Sequence, residues 1–213
     1  MSIPSMDTLV KVLLDGDHAG ALAEVRNLRD GGVERERIVT KGVEKAMAQL
    51  DAKCTVEQFN LLEIMLTGRA AMGVIKELYP PTDPPSRMKA TVVVGTLEGD
   101  VHDIGKNVLK SVLAASGYQV VDCGKDCPVM KMIDAADREA ALAVSVSGLI
   151  TTVIPQVRSL KSKMAARELG HIKLMAGGAA LKQASPISLN VDFVGDTAFD
   201  VLHYLDEIIG GEQ

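Results

Sequence analysis

Aromatic side chains are nearly missing from this chain. They make up 3% of its residues, and tryptophan is absent. The rings that usually dominate a core therefore cannot do so here, and packing falls to Ala, Val, Leu and Met, within a chain that is 47% hydrophobic. Cysteine is also scarce, with 3 in the chain. So few, in an odd number, exclude a disulfide framework and point to reduced thiols and a cytoplasmic setting. Cys123 and Cys127 lack the Cys-x-x-Cys redox spacing, and no second pair exists for a zinc site; they read as ordinary thiols. There is no basic excess: the net charge of −5 argues against nucleic acid or an anionic membrane as partner. No run approaches the ~20 apolar residues of a membrane span. The N-terminus has no basic residues ahead of its first apolar stretch, so a secretory signal is not expected. Walker and Gly-x-Gly-x-x-Gly nucleotide loops are both lacking.

Proline is sparse except in one place. Four of the 8 prolines fall in the stretch from Tyr79 to Ser86, which reads as a stiff linker over residues 79–88. It divides a chain of 213 residues into a helical part, 1–78, and an alternating part, 89–213. In the first part Met6, Leu9, Val10, Leu13 and Leu14 recur with helical spacing. Asp17 caps a second helix bearing Leu22, Val25 and Leu28, which Gly31-Gly32 stops. A third runs from Val33 to Leu50 with Val39, Val43 and Met47 on one face. A fourth begins at Thr55, where Thr55 and Gln58 form a capping box. Short connections between the four predict an antiparallel bundle. The fourth helix is apolar on more than one side, through Leu61, Leu62, Ile64, Met65, Leu66, Met72, Val74 and Ile75. It reads either as a central bundle helix or as one that also lies over a flat hydrophobic ligand.

Beyond the linker, apolar runs at Ala90–Val94, Tyr118–Val121, Leu142–Val146, Ile172–Met175 and Val191–Val194 predict five buried strands. Helical stretches near Ile104–Ala115, Val129–Ala136, Thr152–Leu169 and Ala198–Ile209 separate or follow them. Continuous apolar strands joined by helices predict a doubly wound parallel sheet of the α/β class, with the flavodoxin-like order 2-1-3-4-5. Gly95, Gly124, Gly148, Gly177 and Gly195 are expected just past the strand ends, marking the carboxyl edge as the ligand edge.

The segment from Gly95 to Asn107 carries the chemistry. A strand opens there into a Gly-rich loop and then a helix, and the loop holds His102 between Asp100 and Asp103. An imidazole beside a carboxylate is the usual arrangement of a metal-ligating histidine, since the carboxylate fixes the tautomer and raises basicity. Asp103 reads as a cap of the following helix. Gly105 permits close approach beside a helix start with unpaired N–H groups. His18, His171 and His203 have no such surroundings and read as surface residues.

Asp100-x-His102-x-x-Gly105, together with Ser147-Gly148-Leu149 and Gly177-Gly178 in that order, resembles the signature of cobalamin-binding domains that hold the cofactor base-off. The whole chain is similar to the small corrinoid proteins of methyltransferase systems: a helical cap, a proline-containing linker and a Rossmann-like cobalamin domain. The resemblance implies that His102 is the lower ligand of cobalt and Asp100 its hydrogen-bonding partner. Val101, Asp103, Ile104 and Gly105 would line the cofactor around it. Ser147 would face the displaced benzimidazole, with Leu149 and Thr151 nearby, and Gly177 and Gly178 would leave room for the nucleotide tail. Leu61, Met65 and Met72 would contact the upper face of the corrin. In methionine synthase a serine follows six residues after the Ser-x-Leu serine and ends a proton relay. Val153 stands there in this chain, so that relay is shortened.

The function so implied is that of a methyl carrier without catalysis of its own. A donor-specific methyltransferase would place a methyl group on Co(I), and a second would move it from methyl-Co(III) to tetrahydrofolate or coenzyme M. A reductive activation protein would be a further partner. Two rivals remain: the cobalamin subunit of an adenosylcobalamin mutase, for which a radical-generating barrel is missing, and a cobalamin-based sensor, for which no DNA-binding module is visible.

Overall fold

The computed structural model describes residues 5–53, 61–80 and 88–211. The chain forms two compact units, Met1–Pro80 and Pro81–Gln213.

In the first unit, helix α1 (Met6–Leu14) opens on Ser5, whose hydroxyl accepts the Thr8 N–H. Helix α2 (His18–Asp30) opens on Asp17, whose carboxylate accepts the Gly20 N–H at 2.9 Å, and it stops at Gly31. The third predicted helix is continuous but not uniform. It comprises α3 (Arg35–Ile38), a π-helical turn (Val39–Val43) and α4 (Glu44–Lys53). Gly42 lies in that turn against Leu9, and a Cβ there would come within 2.6 Å of Leu9 Cδ2. A 3.6-residue period gives no sign of the extra residue that a π turn inserts. Helix α5 (Leu61–Leu78) packs on α1, α2 and α4. The expected cap at Thr55 and Gln58 falls outside the described residues. Leu9, Leu13, Val25, Ile38, Val74 and Ile75 are completely buried between the helices. His18 is not the surface residue expected from sequence. Its ring lies in a notch at Gly73 of α5, where any side chain would overlap it, and its Nδ1 is buried with no hydrogen-bond partner. That enclosure depends on a glycine in another helix, which helical spacing does not reveal. His171 and His203 are exposed.

The second unit is a five-stranded parallel sheet of order β2-β1-β3-β4-β5. Its strands are β1 (Thr91–Thr96), β2 (Gln119–Asp122), β3 (Ala143–Ser147), β4 (Lys173–Gly177) and β5 (Phe193–Gly195). Successive side chains point to opposite faces. Val93, Val144 and Leu174 therefore pack with α7 (Val129–Arg138), α8 (Ile154–Ala165) and the short α9 (Pro186–Leu189). Val92, Val94, Ala143 and Met175 pack with α6 (Ile104–Ala115) and α10 (Ala198–Gly211) on the other face. Both faces are covered, which is why the strands read as unbroken apolar runs.

The departures from expectation are local. Strand β5 starts later than the apolar run because the Asp192 carboxylate turns back to the Leu174 N–H and to Lys161 Nζ, at 2.9 and 2.5 Å. Helix α8 is preceded by a 3-10 turn (Thr151–Val153) and ends before Glu168, whose φ is 63°. Gly95 lies inside β1, paired with Val146, while Gly177 and Gly195 are the last residues of their strands.

Candidate cofactor-binding site

One register row closes the carboxyl edge of the sheet: Thr96, Ser147, Gly177 and Gly195 sit side by side at the ends of β1, β3, β4 and β5. Three of the four lack a bulky side chain, which leaves the main chain at the edge accessible. The loop that carries His102 leaves this row at Thr96 and enters α6 at Ile104.

Asp100 is the anchor of that loop. It is completely buried, and both carboxylate oxygens are used. Oδ1 accepts the backbone N–H of His102 at 3.0 Å and the imidazole Nδ1–H at 2.8 Å, and Oδ2 accepts the Leu149 N–H at 2.7 Å. Burial pushes the carboxyl up, but the N–H groups of Leu149 and His102 and the imidazole outweigh it and hold it below the usual carboxylate range. An ionised Asp100 is an acceptor only, so Nδ1 carries a proton, and in the neutral form of the ring the free lone pair is on Nε2. The His102 side chain is 53% exposed, and no described residue bonds to Nε2. A neutral imidazole with one nitrogen fixed by a buried carboxylate and the other open is a ready ligand for a transition metal. Val153 is buried and offers no hydroxyl, and the far oxygen of Asp100 ends on a main-chain N–H.

The other expected residues of this unit lie along the same loop and at the neighbouring ends of β3 and β4. Val101 is exposed to 60% beside His102. Asp103 occupies the N-cap position of α6, but its side chain makes no capping bond; only its carbonyl takes part, accepting the Asn107 N–H at 2.8 Å. Ile104 begins α6. Gly105 faces β3, where a Cβ would meet only Ser147 Oγ, in ordinary van der Waals contact at 3.7 Å. Gly178 differs from the expectation that it leaves room for a ligand. A Cβ there would lie 2.5 Å from Gly148 O, and its φ is +99°, so its missing side chain lets two strand-end loops meet. Gly177 is tight as well, at 3.4 Å from Gly195 O. Of these three glycines, only Gly105 would accept a Cβ without crowding. Thr151 is exposed at the start of the 3-10 turn. In the helical unit Met65 is exposed to 62% and Met72 half-buried; the side chain of Leu61 lies outside the described set. Leu62, at 65%, and Leu66, at 38%, share the exposed face of Met65.

Sequence reasoning missed the supports of the loop. Gln156 Nε2 donates to Glu98 O at 2.7 Å, and Asp126 Oδ1 accepts the Gly99 N–H at 2.8 Å. Lys106, 4% exposed along its side chain, places Nζ 2.8 and 2.9 Å from the two oxygens of Asp122 at the end of β2. Burial raises the Asp122 carboxyl, but Lys106, the Gly124 N–H and Lys110 bring it below its ordinary value. A lysine in the first helical turn opposes the helix dipole, and that anomaly was the available signal for a carboxylate partner. Cys123 and Cys127 are buried free thiols. Burial, then the neighbouring Cys127, pushes the Cys123 thiol up to about 11, so it is not a nucleophile at neutral pH. Among the described residues no cluster of His, Cys, Asp and Glu forms a protein-only metal site. A single histidine suits a metal whose remaining ligands come from a macrocycle.

The B12 binding domain model matches residues 90–201, and the chain belongs to that family. Dimethylamine corrinoid protein 3 of Methanosarcina mazei is 32% identical over 66% of this chain and 84% of its own length. Dimethylamine corrinoid protein 1 of Methanosarcina acetivorans is 28% identical over 84% of this chain and 85% of its own length. The structure of the monomethylamine corrinoid protein of Methanosarcina barkeri, 24% identical, superimposes with a TM-score of 0.80 over 94% of this chain and 96% of that one. The likeness extends beyond the cofactor domain to nearly the full length.

Proposed function

We propose that this protein is a corrinoid methyl carrier of a methyltransferase system. It binds cobalamin base-off, with His102 Nε2 as the lower ligand of cobalt. The observation that carries the reading is the Asp100–His102 pair, whose Nδ1 is locked by a buried carboxylate and whose Nε2 is open at the carboxyl edge of the sheet. The displaced nucleotide tail would pass beside Gly105, which is not crowded, and the N–H groups of the first turn of α6. When bound, the corrin supplies the cobalt that takes up and releases the methyl group. The chain's own part is to orient the imidazole, hold its proton on Nδ1 and keep the cofactor in place.

A donor-specific methyltransferase delivers the methyl group, and a second passes it to tetrahydrofolate or coenzyme M; a reductive activation protein restores the reduced cobalt. The relatives named for dimethylamine and trimethylamine support a methylated amine as the donor. The described helices offer no segment long and apolar enough to cross a membrane. Reconstitution tests this reading. The cobalamin-loaded protein alone should show no methyl transfer from any methylated amine, and transfer should appear on adding the matching methyltransferase. Turnover by the carrier alone would overturn the assignment.

A further inference from the structure

The loop that presents His102 is held from below by a residue outside the ligand motif. Thr96 is the last residue of β1 and is completely buried. Its side chain shares the face of Val92 and Val94, beneath the start of α6. On that face of β1 it is the polar residue, and its hydroxyl is committed: Oγ1 donates to the backbone carbonyl of His102 at 3.0 Å. Thr96 is itself fixed on both sides, because its N–H donates to Gly124 O at 3.0 Å and its carbonyl accepts the Cys127 N–H at 2.9 Å. It therefore cannot drift with the loop.

Hence the peptide of His102 is clamped at both ends. Asp100 Oδ1 holds its N–H and Thr96 holds its carbonyl. Asp100 Oδ1 holds His102 through both its N–H and its Nδ1–H, but both bonds end on one oxygen, about which a rotation would swing Nε2. The second point removes that pivot. We propose that Thr96 is a positioning residue for the axial ligand: its hydroxyl sets where Nε2 stands and so how fully the imidazole engages cobalt. This rests on the reading of His102 as the cobalt ligand.

The test compares Thr96→Val, of equal shape but without the donor, with Thr96→Ser, which keeps it. In the cofactor-free protein, amide exchange at residues 101–103 should quicken about tenfold in Thr96→Val, the scale of one lost buried hydrogen bond, and return in Thr96→Ser. In the cobalamin-loaded Co(II) form, Thr96→Val should retain its cofactor, while the ratio of nitrogen-ligated to unligated signal in electron paramagnetic resonance falls about tenfold. Thr96→Ser should restore it. Should Thr96→Val not accumulate as folded protein, Thr96→Ala takes its place against Thr96→Ser. His102→Ala separates the two levels. If His102→Ala loses the nitrogen splitting while Thr96→Val matches wild type in both measurements, the positioning role is wrong and the ligand assignment stands. If the splitting survives in His102→Ala, the ligand assignment falls and the positioning role with it.

Discussion

At the scale of single residues, the site was legible where chemistry demands an unusual neighbour. A histidine between two aspartates, on a strand-to-helix loop, singled out Asp100 and His102, and the structure joins them at 2.8 Å. Residues whose work is done by one hydroxyl or by the lack of a side chain were harder to read. Thr96 looks like the end of a strand, and the doublet Gly177-Gly178 looks like open space. A glycine signals close approach without saying what approaches, and at Gly178 it is the Gly148 main chain. The position that does open is Gly105, which leads to a sharp expectation. Gly105 has no left-handed φ and meets only Ser147 Oγ. A side chain there costs the helix nothing and removes the entropic penalty of glycine, about 1 kcal/mol. Gly105→Leu should thus melt no lower than wild type yet bind cobalamin at least tenfold more weakly, while binding of cobinamide, which lacks the nucleotide tail, changes little. Equal loss of both would place the tail elsewhere.

At the scale of elements, strand order and helix positions followed from hydrophobic period. The boundaries moved wherever a side chain turned back on the backbone, as Asp192 does before β5. The π turn at Val39–Val43 was invisible, and the seat of α6 on β2 showed only as a lysine in a first helical turn, because both depend on contacts between segments far apart in sequence. Lys106 and Asp122 make that seat. Removing one member of a buried pair leaves the other charge poorly compensated, though Asp122 keeps Lys110 and the Gly124 N–H. Lys106→Met should cost about 3 kcal/mol, or about 6–12 °C in melting temperature, as read by calorimetry. The pH dependence has a definite sign. The Asp122 and Asp192 carboxyls sit below their ordinary value when folded. Their contribution is therefore complete above the unfolded carboxylate pKa of about 4 and is lost as pH falls through the lower folded values. Thermal stability should be flat between about pH 5 and 8 with respect to these groups and should fall below about pH 4. A loss between pH 6 and 8 that tracked either carboxyl would contradict their observed partners.

At the scale of the whole molecule, the chain combines a helical unit with a sheet unit whose carboxyl edge carries one open imidazole. The two units, Met1–Pro80 and Pro81–Gln213, divide between two of the prolines of the proline-rich stretch. The exposed apolar face of α5, through Leu62, Met65 and Leu66, motivates a covering role for the helical unit. Removing residues 1–80 should leave cobalamin uptake intact and speed the oxidation of Co(I), followed by its absorbance under controlled oxygen. Equal rates in the truncated and full-length proteins would assign the helical unit another role, such as partner recognition. The central claim, however, is the bond from protein to cobalt, and isotope substitution tests it most directly. In the Co(II) form of the cobalamin-loaded protein, one axial nitrogen of natural abundance splits each cobalt line into a triplet. Protein grown with nitrogen-15 histidine and loaded with unlabelled cobalamin should show doublets instead, and His102→Ala should show neither. A triplet that persists in the labelled protein would mean that the axial nitrogen comes from the cofactor's own base, and the account given for His102 would be wrong.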